Sequence, residues 1–171
     1  MIRLEKFGPE DYINLISWIT NEELLLQIAG RQMVFPVTAA QLDLSQSDTK
    51  RHAFSIINIE TRRSIGHCEL YLQENSAKID RVLIGDPSMK GKGLCAPLIH
   101  LLLDYGFNVL NQPVIELNVF DWNRSAIRCY EKAGLKKNPD KTIGFEINNG
   151  KWMAFNMSID KITHEQNKNE K

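Results

Sequence analysis

The stretch IDRVLIGDPSMKGKGLCA, Ile79 to Ala96, decides how the rest of the chain is read. Its first half is an apolar strand. Its second half is a short loop rich in lysine and glycine that opens an amphipathic helix. Gly91 and Gly93 flank Lys92, and Lys90 precedes them. Glycine has no Cβ, so the backbone here can approach a ligand closely. The first N–H groups of the following helix lack intrahelical partners, and the helix dipole adds partial positive charge there. Together these features suit an anion, phosphate above all. Pro97 has no N–H and tolerates a first helical turn, so the helix is predicted to start near Gly93. The plainer alternative is a strand-to-helix turn that merely needs glycine. The two lysines and the proline weigh toward phosphate.

Two known phosphate motifs compete for this loop. The P-loop string Gly-x4-Gly-Lys-Ser/Thr is absent. The dinucleotide fingerprint Gly-x-Gly-x-x-Gly/Ala is formally matched by Gly91, Gly93 and Ala96. That fingerprint belongs on the first βα turn of a doubly wound sheet. Here it lies past the middle of the chain, after a run of antiparallel strands, with too little chain left for further βα units.

A third reading takes in more of the chain. Asp86-Pro87, then Lys90-Gly91-Lys92-Gly93-Leu94-Cys95, a long helix, a strand, and NRSAIRCYEKAGL (Asn123 to Leu135) resemble the GNAT superfamily of acetyl-CoA-dependent N-acetyltransferases. The similarity is greatest to the branch of ribosomal-protein N-terminal and small-amine acetyltransferases. The family signature is Arg/Gln-x-x-Gly-x-Gly/Ala followed by Asn-x-x-Ala-x-x-x-Tyr-x-x-x-Gly-Phe. This chain has Lys90 for Arg/Gln, Cys95 for the last Gly/Ala and Leu135 for Phe. The order of elements resembles the family over about residues 1 to 160, and the specific motifs over 79 to 135.

The resemblance implies an α+β fold with a central, mixed but mostly antiparallel sheet of about seven strands and flanking helices. Strands 78–84 and 114–120 should be parallel and splay apart to admit acetyl-CoA. It also implies acetyl transfer directly to a primary amine, either a protein N-terminus or a small amine. The pyrophosphate would rest on N–H groups from Gly91, Lys92, Gly93, Leu94, Cys95 and Ala96, with Lys90 nearby. The amide-rich pantetheine arm would pair with the edge Val82-Leu83-Ile84, as an added strand does. Asn118 and Asn123 lie where the family's next strand and helix approach the cofactor. Tyr130 matches the family tyrosine that protonates the leaving thiolate; the alternative is a core aromatic on a helix face. A rival of another class is a non-catalytic acyl-CoA-binding or sensing module that keeps the loop but lacks a working base.

The base is sought among the strands. If Gln73 to Ser76 is a hairpin turn, Glu69 lies across from Asp80, and like charges so placed should raise one carboxyl pKa. A raised carboxyl suits a base near neutral pH. Two solvated surface acids are the alternative, and His67 on the same strand face could serve through water. Cys95 and Cys129 have no suitably placed His partner, so Cys95 reads as a small packing residue beside the cofactor.

Composition bounds the rest. The chain has 171 residues, 43% apolar and 25% charged, with 21 basic and 21 acidic residues. This is the balance of an ordinary globule, and zero net charge makes no broad case for nucleic acid or an anionic membrane. Three cysteines (Cys68, Cys95, Cys129) with no metal spacing suggest reduced thiols in a cytoplasmic protein and no metal site. The N-terminus has no apolar signal region, and no run approaches the ~18 residues a membrane span needs. The expected organisation is one domain over 1–161 and a polar, disordered tail from 162 to 171. A homodimer is compatible with this reading.

Local patterns supply the elements. Ile2 and Leu4 alternate with charges in a first strand. Pro9-Glu10-Asp11 opens a helix with Tyr12, Leu15, Ile16 and Ile19 on one face, and Asn21 caps a second that stops at Gly30. Residues 31–50 read as irregular, although Thr38-Ala-Ala-Gln41 can start a short helix and Ser45 to Lys50 is polar and turn-like, and the resemblance places acceptor recognition there. Strands follow at 53–59, 65–72 and 78–84. A helix from Leu94 to about Leu110 should bury Leu94, Leu98, Leu101, Leu102, Tyr105 and Val109. After the strand 114–120, Asn123 caps a helix to about Ala133. A hairpin of 145–147 and 152–159, turned by Asn148-Asn149-Gly150, closes the chain.

Overall fold

The structure is a computed structural model and describes residues 1–147 and 150–169. Seven strands form one sheet in the order β1-β2-β3-β4-β5-β7-β6. They are β1 (Ile2–Lys6), β2 (Arg51–Asn58), β3 (Ser64–Leu72), β4 (Ala77–Ile84), β5 (Val114–Phe120), β6 (Lys136–Ile147) and β7 (Gly150–Asp160). The β1–β2, β2–β3, β5–β7 and β6–β7 pairs are antiparallel, and β4–β5 is parallel. The mixed, mostly antiparallel sheet expected from the sequence is therefore present. By packing, the chain divides into two compact units: Met1–Leu72 with Asp80–Leu94, and Gln73–Ile79 with Cys95–Lys171.

In the first unit, three helices stand between β1 and β2: α1 (Tyr12–Trp18), α2 (Glu22–Ala29) and α3 (Ala39–Gln46). Each begins where the sequence offers a start. Pro9–Asp11 forms a 3-10 turn ahead of α1. Asn21 caps α2 by accepting the Leu24 N–H at 2.8 Å, and Gly30 ends it with φ +58°. Thr38 caps α3 by accepting the Gln41 N–H at 3.3 Å. Their apolar faces meet in one core containing Phe7, Tyr12, Leu15, Ile19, Leu25, Leu42 and Leu83. The β3 and β4 backbones come very close at Gly66, where a Cβ would stand 2.3 Å from the Leu83 carbonyl oxygen.

The second unit is built on α4 (Cys95–Asp104), α5 (Arg124–Lys132), α6 (Lys161–Asn169) and strands β5, β6 and β7. The β4–β5 ladder lies here and consists of three pairs, Ala77↔Ile115, Lys78↔Glu116 and Ile79↔Leu117. The long helix expected up to Leu110 does not stay α-helical. After Asp104 it widens into a π turn, Tyr105–Val109, closed by the Leu110 N–H on the Tyr105 carbonyl at 3.0 Å. The extra residue in that turn shifts the face. Leu98, Ile99, Leu102, Leu103 and Phe107 are buried, whereas Val109, assigned to the core from its spacing, is exposed.

Two further expectations change. β6 starts at Lys136, well before 145, and crosses Pro139 with a register shift between Asn138 and Thr142. The Asn148-Asn149 turn lies outside the described residues. The tail read as disordered from 162 forms α6 up to Asn169. Asp160 starts it, accepting the Thr163 N–H at 2.8 Å and the Thr163 hydroxyl at 2.7 Å. His164 is buried, 3.0 Å from Asp104 Oδ1, and Lys168 reaches the same carboxylate. Its anchor is a histidine in an otherwise polar run, so hydropathy did not reveal it. Among the described residues no helix is long and apolar enough to cross a membrane.

Gly66→Ala should be strongly destabilising, because the new methyl collides with backbone rather than with a movable side chain. A loss of about 2 kcal/mol or more is expected, read as a lower midpoint in chemical denaturation.

Candidate active site

The least expected feature of the first unit is an ionic cluster inside it. Glu69 on β3 is 1% exposed. His67, two residues before it on the same face, lies with Nε2 3.0 Å from Glu69 Oε1. A carboxylate only accepts, so this ring nitrogen carries the proton. Arg51 from β2 pairs with Glu69 Oε2, and Arg81 from β4 donates to Oε1 at 3.2 Å. Burial alone pushes the Glu69 carboxyl up. The His67 hydrogen bond and the charges of His67, Arg81 and Arg51 outweigh burial and hold it at about 2. The expectation of a raised carboxyl here is therefore reversed for Glu69. Opposite charges, not the like charge of Asp80, reach it, and a carboxylate held this low does not accept protons near neutral pH. Asp80 lies toward the surface of the cluster, 3.8 Å from Arg51 Nη1, with 14% of its side chain exposed.

Arg51 and Arg81 were not singled out from the sequence. The signal for Arg81 was there: Ala77, Ile79, Arg81 and Leu83 alternate inward along β4, and the arginine sits in that row. Arg81 also has φ +48°, a left-handed backbone inside a strand. Beyond β4, the loop Lys90–Gly93 is exposed. Gly91 and Gly93 have φ +74° and +71°, and no atom lies within 4 Å of where their Cβ would be. Conformation, not crowding, requires glycine at both positions. Asp86 turns the chain into this loop by accepting the Ser88 N–H at 2.8 Å.

In the second unit, α4 begins at Cys95 and holds Pro97 in its first turn, and α5 follows its Asn123 cap, which accepts the Ala126 N–H at 3.3 Å. Cys95 and Cys129 form a disulfide with Cα atoms 6.2 Å apart. This corrects the expectation of reduced thiols at Cys95 and Cys129 and the reading of Cys95 as merely a small packing residue beside the cofactor, whereas Cys68 is a buried free cysteine. No spacing motif marks the bond, because helix packing alone brings the two residues together. The next residue, Tyr130, is half-buried, and burial pushes its phenol up to about 12. Asn118 on β5 belongs to a ladder of amides: its Oδ1 accepts from Asn156 Nδ2 at 3.0 Å, and Asn138 donates in turn to Asn156. Among the described residues no cluster is suited to a metal ion.

The sequence profile of the acetyltransferase (GNAT) domain matches residues 2–136. The chain belongs to this family. The spermidine N(1)-acetyltransferase of Escherichia coli strain K12 is 36% identical to it over 77 residues, 45% of this chain and 41% of that protein. The matched segment thus spans less than half of that relative. The solved spermidine N-acetyltransferase of Vibrio cholerae, in complex with CoA and spermine, has a TM-score of 0.81 at 23% identity, covering 96% of this chain and 98% of that one. Mutant forms of the spermidine/spermine N-acetyltransferase SpeG from the same organism give 0.78 at 22% identity, covering 98% and 99%. At these identities it is the GNAT fold that is shared.

Two outcomes are expected. The Glu69 carboxyl lies below its unfolded value, so its stabilisation is complete above about pH 5 and fades as the pH falls toward 2. Glu69→Gln should therefore cost about 3 kcal/mol at pH 7, and the gap from the parent protein should narrow below pH 4 in denaturant titrations. The disulfide closes a span of 34 residues. Replacing both cysteines by serine should cost about 3–4 kcal/mol in the same titrations, and dithiothreitol should then have no further effect.

Proposed function

We propose that the chain is an acetyl-CoA-dependent N-acetyltransferase that acetylates the primary amine of a small molecule. The observation that carries this reading is the Lys90–Gly93 loop, whose two left-handed glycines lead the chain into α4. Family membership and the spermidine acetyltransferase relatives support acetyl transfer to an amine.

Each candidate residue then has a task. Backbone N–H groups from Gly91 to Ala96, with the ammonium groups of Lys90 and Lys92, hold the pyrophosphate. Val82, Leu83 and Ile84 offer strand backbone to the amide arm, and Asn118 and Asn123 flank it. Bound acetyl-CoA supplies a thioester to attack and a thiolate to depart. An alkyl amine with pKa ~10 arrives protonated. Asp80, partly exposed, takes that proton; Glu69 is too strongly held to do so. Tyr130 keeps its proton through neutral pH, because its pKa stands at about 12, and gives it to the departing sulfur.

The test is an acetyl-CoA assay over a panel containing spermidine, spermine, short diamines and peptides with free N-termini. Turnover with small amines and none with peptides is expected. Turnover confined to peptides would move the acceptor to protein N-termini, and acetyl-CoA binding with no accelerated acceptor would favour a sensing module. Tyr130→Phe should lower kcat by about 100-fold or more and leave the acetyl-CoA KM within about twofold. A large rise in that KM would remove Tyr130 from the role of acid.

A further inference from the structure

We infer that Arg81 is a positioning residue for the acceptor amine: its guanidinium fixes the segment 31–50, whose outward apolar side chains would form the acceptor wall. The inference rests on the proposed function. Arg81 is 6% exposed, and its fork joins three separate parts of the first unit. Nη1 donates to Ser45 Oγ on α3 at 2.7 Å and to Glu69 Oε1 on β3 at 3.2 Å. Nη2 donates to Gln32 Oε1, in the stretch between α2 and α3, at 2.9 Å. Arg51, on the same carboxylate, also reaches Gln32 Oε1 at 3.3 Å. The segment 31–50, which carries α3, is therefore tied through the arginines to one buried anion, with Arg81 contributing a bond to Gln32 and another to Ser45.

The same segment turns apolar side chains outward. Val34, Phe35 and Leu44 are 72%, 37% and 75% exposed. Such a surface suits the methylene chain of an alkyl amine, provided the backbone behind it is held still. The backbone of Arg81 is itself unusual, since φ +48° is a conformation L side chains rarely adopt. It persists where the surroundings over-determine it, and here the three bonds of the fork do so. Lysine would keep the charge but cannot meet three partners in one plane.

Arg81→Lys and Arg81→Gly separate the contributions. The first keeps the cation, and the second keeps the left-handed backbone at no steric cost. Both should raise the KM for the accepted amine at least tenfold and leave the acetyl-CoA KM within twofold. Amide hydrogen exchange over residues 31–50 should become faster in both. An unchanged amine KM, or equal rises in both KM values, would overturn the inference, as would unchanged exchange over 31–50. The double variant Gln32→Leu/Ser45→Ala leaves the Arg81–Glu69 pair intact and serves if the arginine variants do not fold. It should reproduce the amine-specific rise in KM, and its failure to do so counts against the inference equally. Exchange needs no substrate, so it tests the anchoring even if the parent protein acetylates no amine, a result that would instead sink the proposed function.

Discussion

The Glu69 carboxylate is a charge taken out of water, and much of the first unit is arranged to make that tolerable. An ionised carboxylate in a protein interior is strongly disfavoured unless its lone pairs are filled. Here β2 supplies Arg51, β3 supplies His67 and β4 supplies Arg81. Replacing such a cluster whole with well-packed apolar groups is often neutral or stabilising, whereas removing one partner is costly because it leaves a buried charge uncompensated. What the cluster arranges is visible in its outer bonds, because Gln32 and Ser45 bind the stretch after α2 and α3 itself to the strands through the two arginines.

The second unit follows another logic. Its interior is apolar, built from Leu98, Ile99, Leu102, Leu103, Phe107, Ile115, Leu117 and Met157, all almost wholly buried. Its polar contacts lie around that core. The amide ladder runs across β5, β7 and β6, and the Asp104 carboxylate gathers His164 and Lys168 from α6. The covalent tie between Cys95 and Cys129 joins the first residue of α4 to the residue preceding Tyr130. Helix entry and candidate acid are thus linked by one bond.

Several features were readable from local chemistry because their causes are local. Asn21, Thr38 and Asn123 cap helices through their own neighbours' N–H groups, and the left-handed turns at Gly91 and Gly93 follow from glycine's missing Cβ. Strand alternation placed β2 to β5 within a residue or two. Where the cause is distant, the reading failed. The π turn after Asp104 moved Val109 to the surface, and α6 docks far back along the chain, through His164 and Lys168 on Asp104 and Lys161 on the Phe107 carbonyl. The raised carboxyl expected at Glu69 failed partly for the same reason: His67, the largest lowering influence, is a neighbour on β3, but nothing nearby in the sequence signals Arg81 and Arg51, which add to it.

The amino-acid sequence by itself determined the family, the order of strands and helices, and the glycine–lysine loop, because period, caps and backbone freedom are properties of short stretches. Tertiary structure alone decided that Glu69 is pinned by Arg51 and Arg81, that Cys95 and Cys129 meet, and that α6 docks on Asp104. Those outcomes depend on electrostatic energy and packing among residues far apart in the chain, and such distances exist only once the strands are side by side.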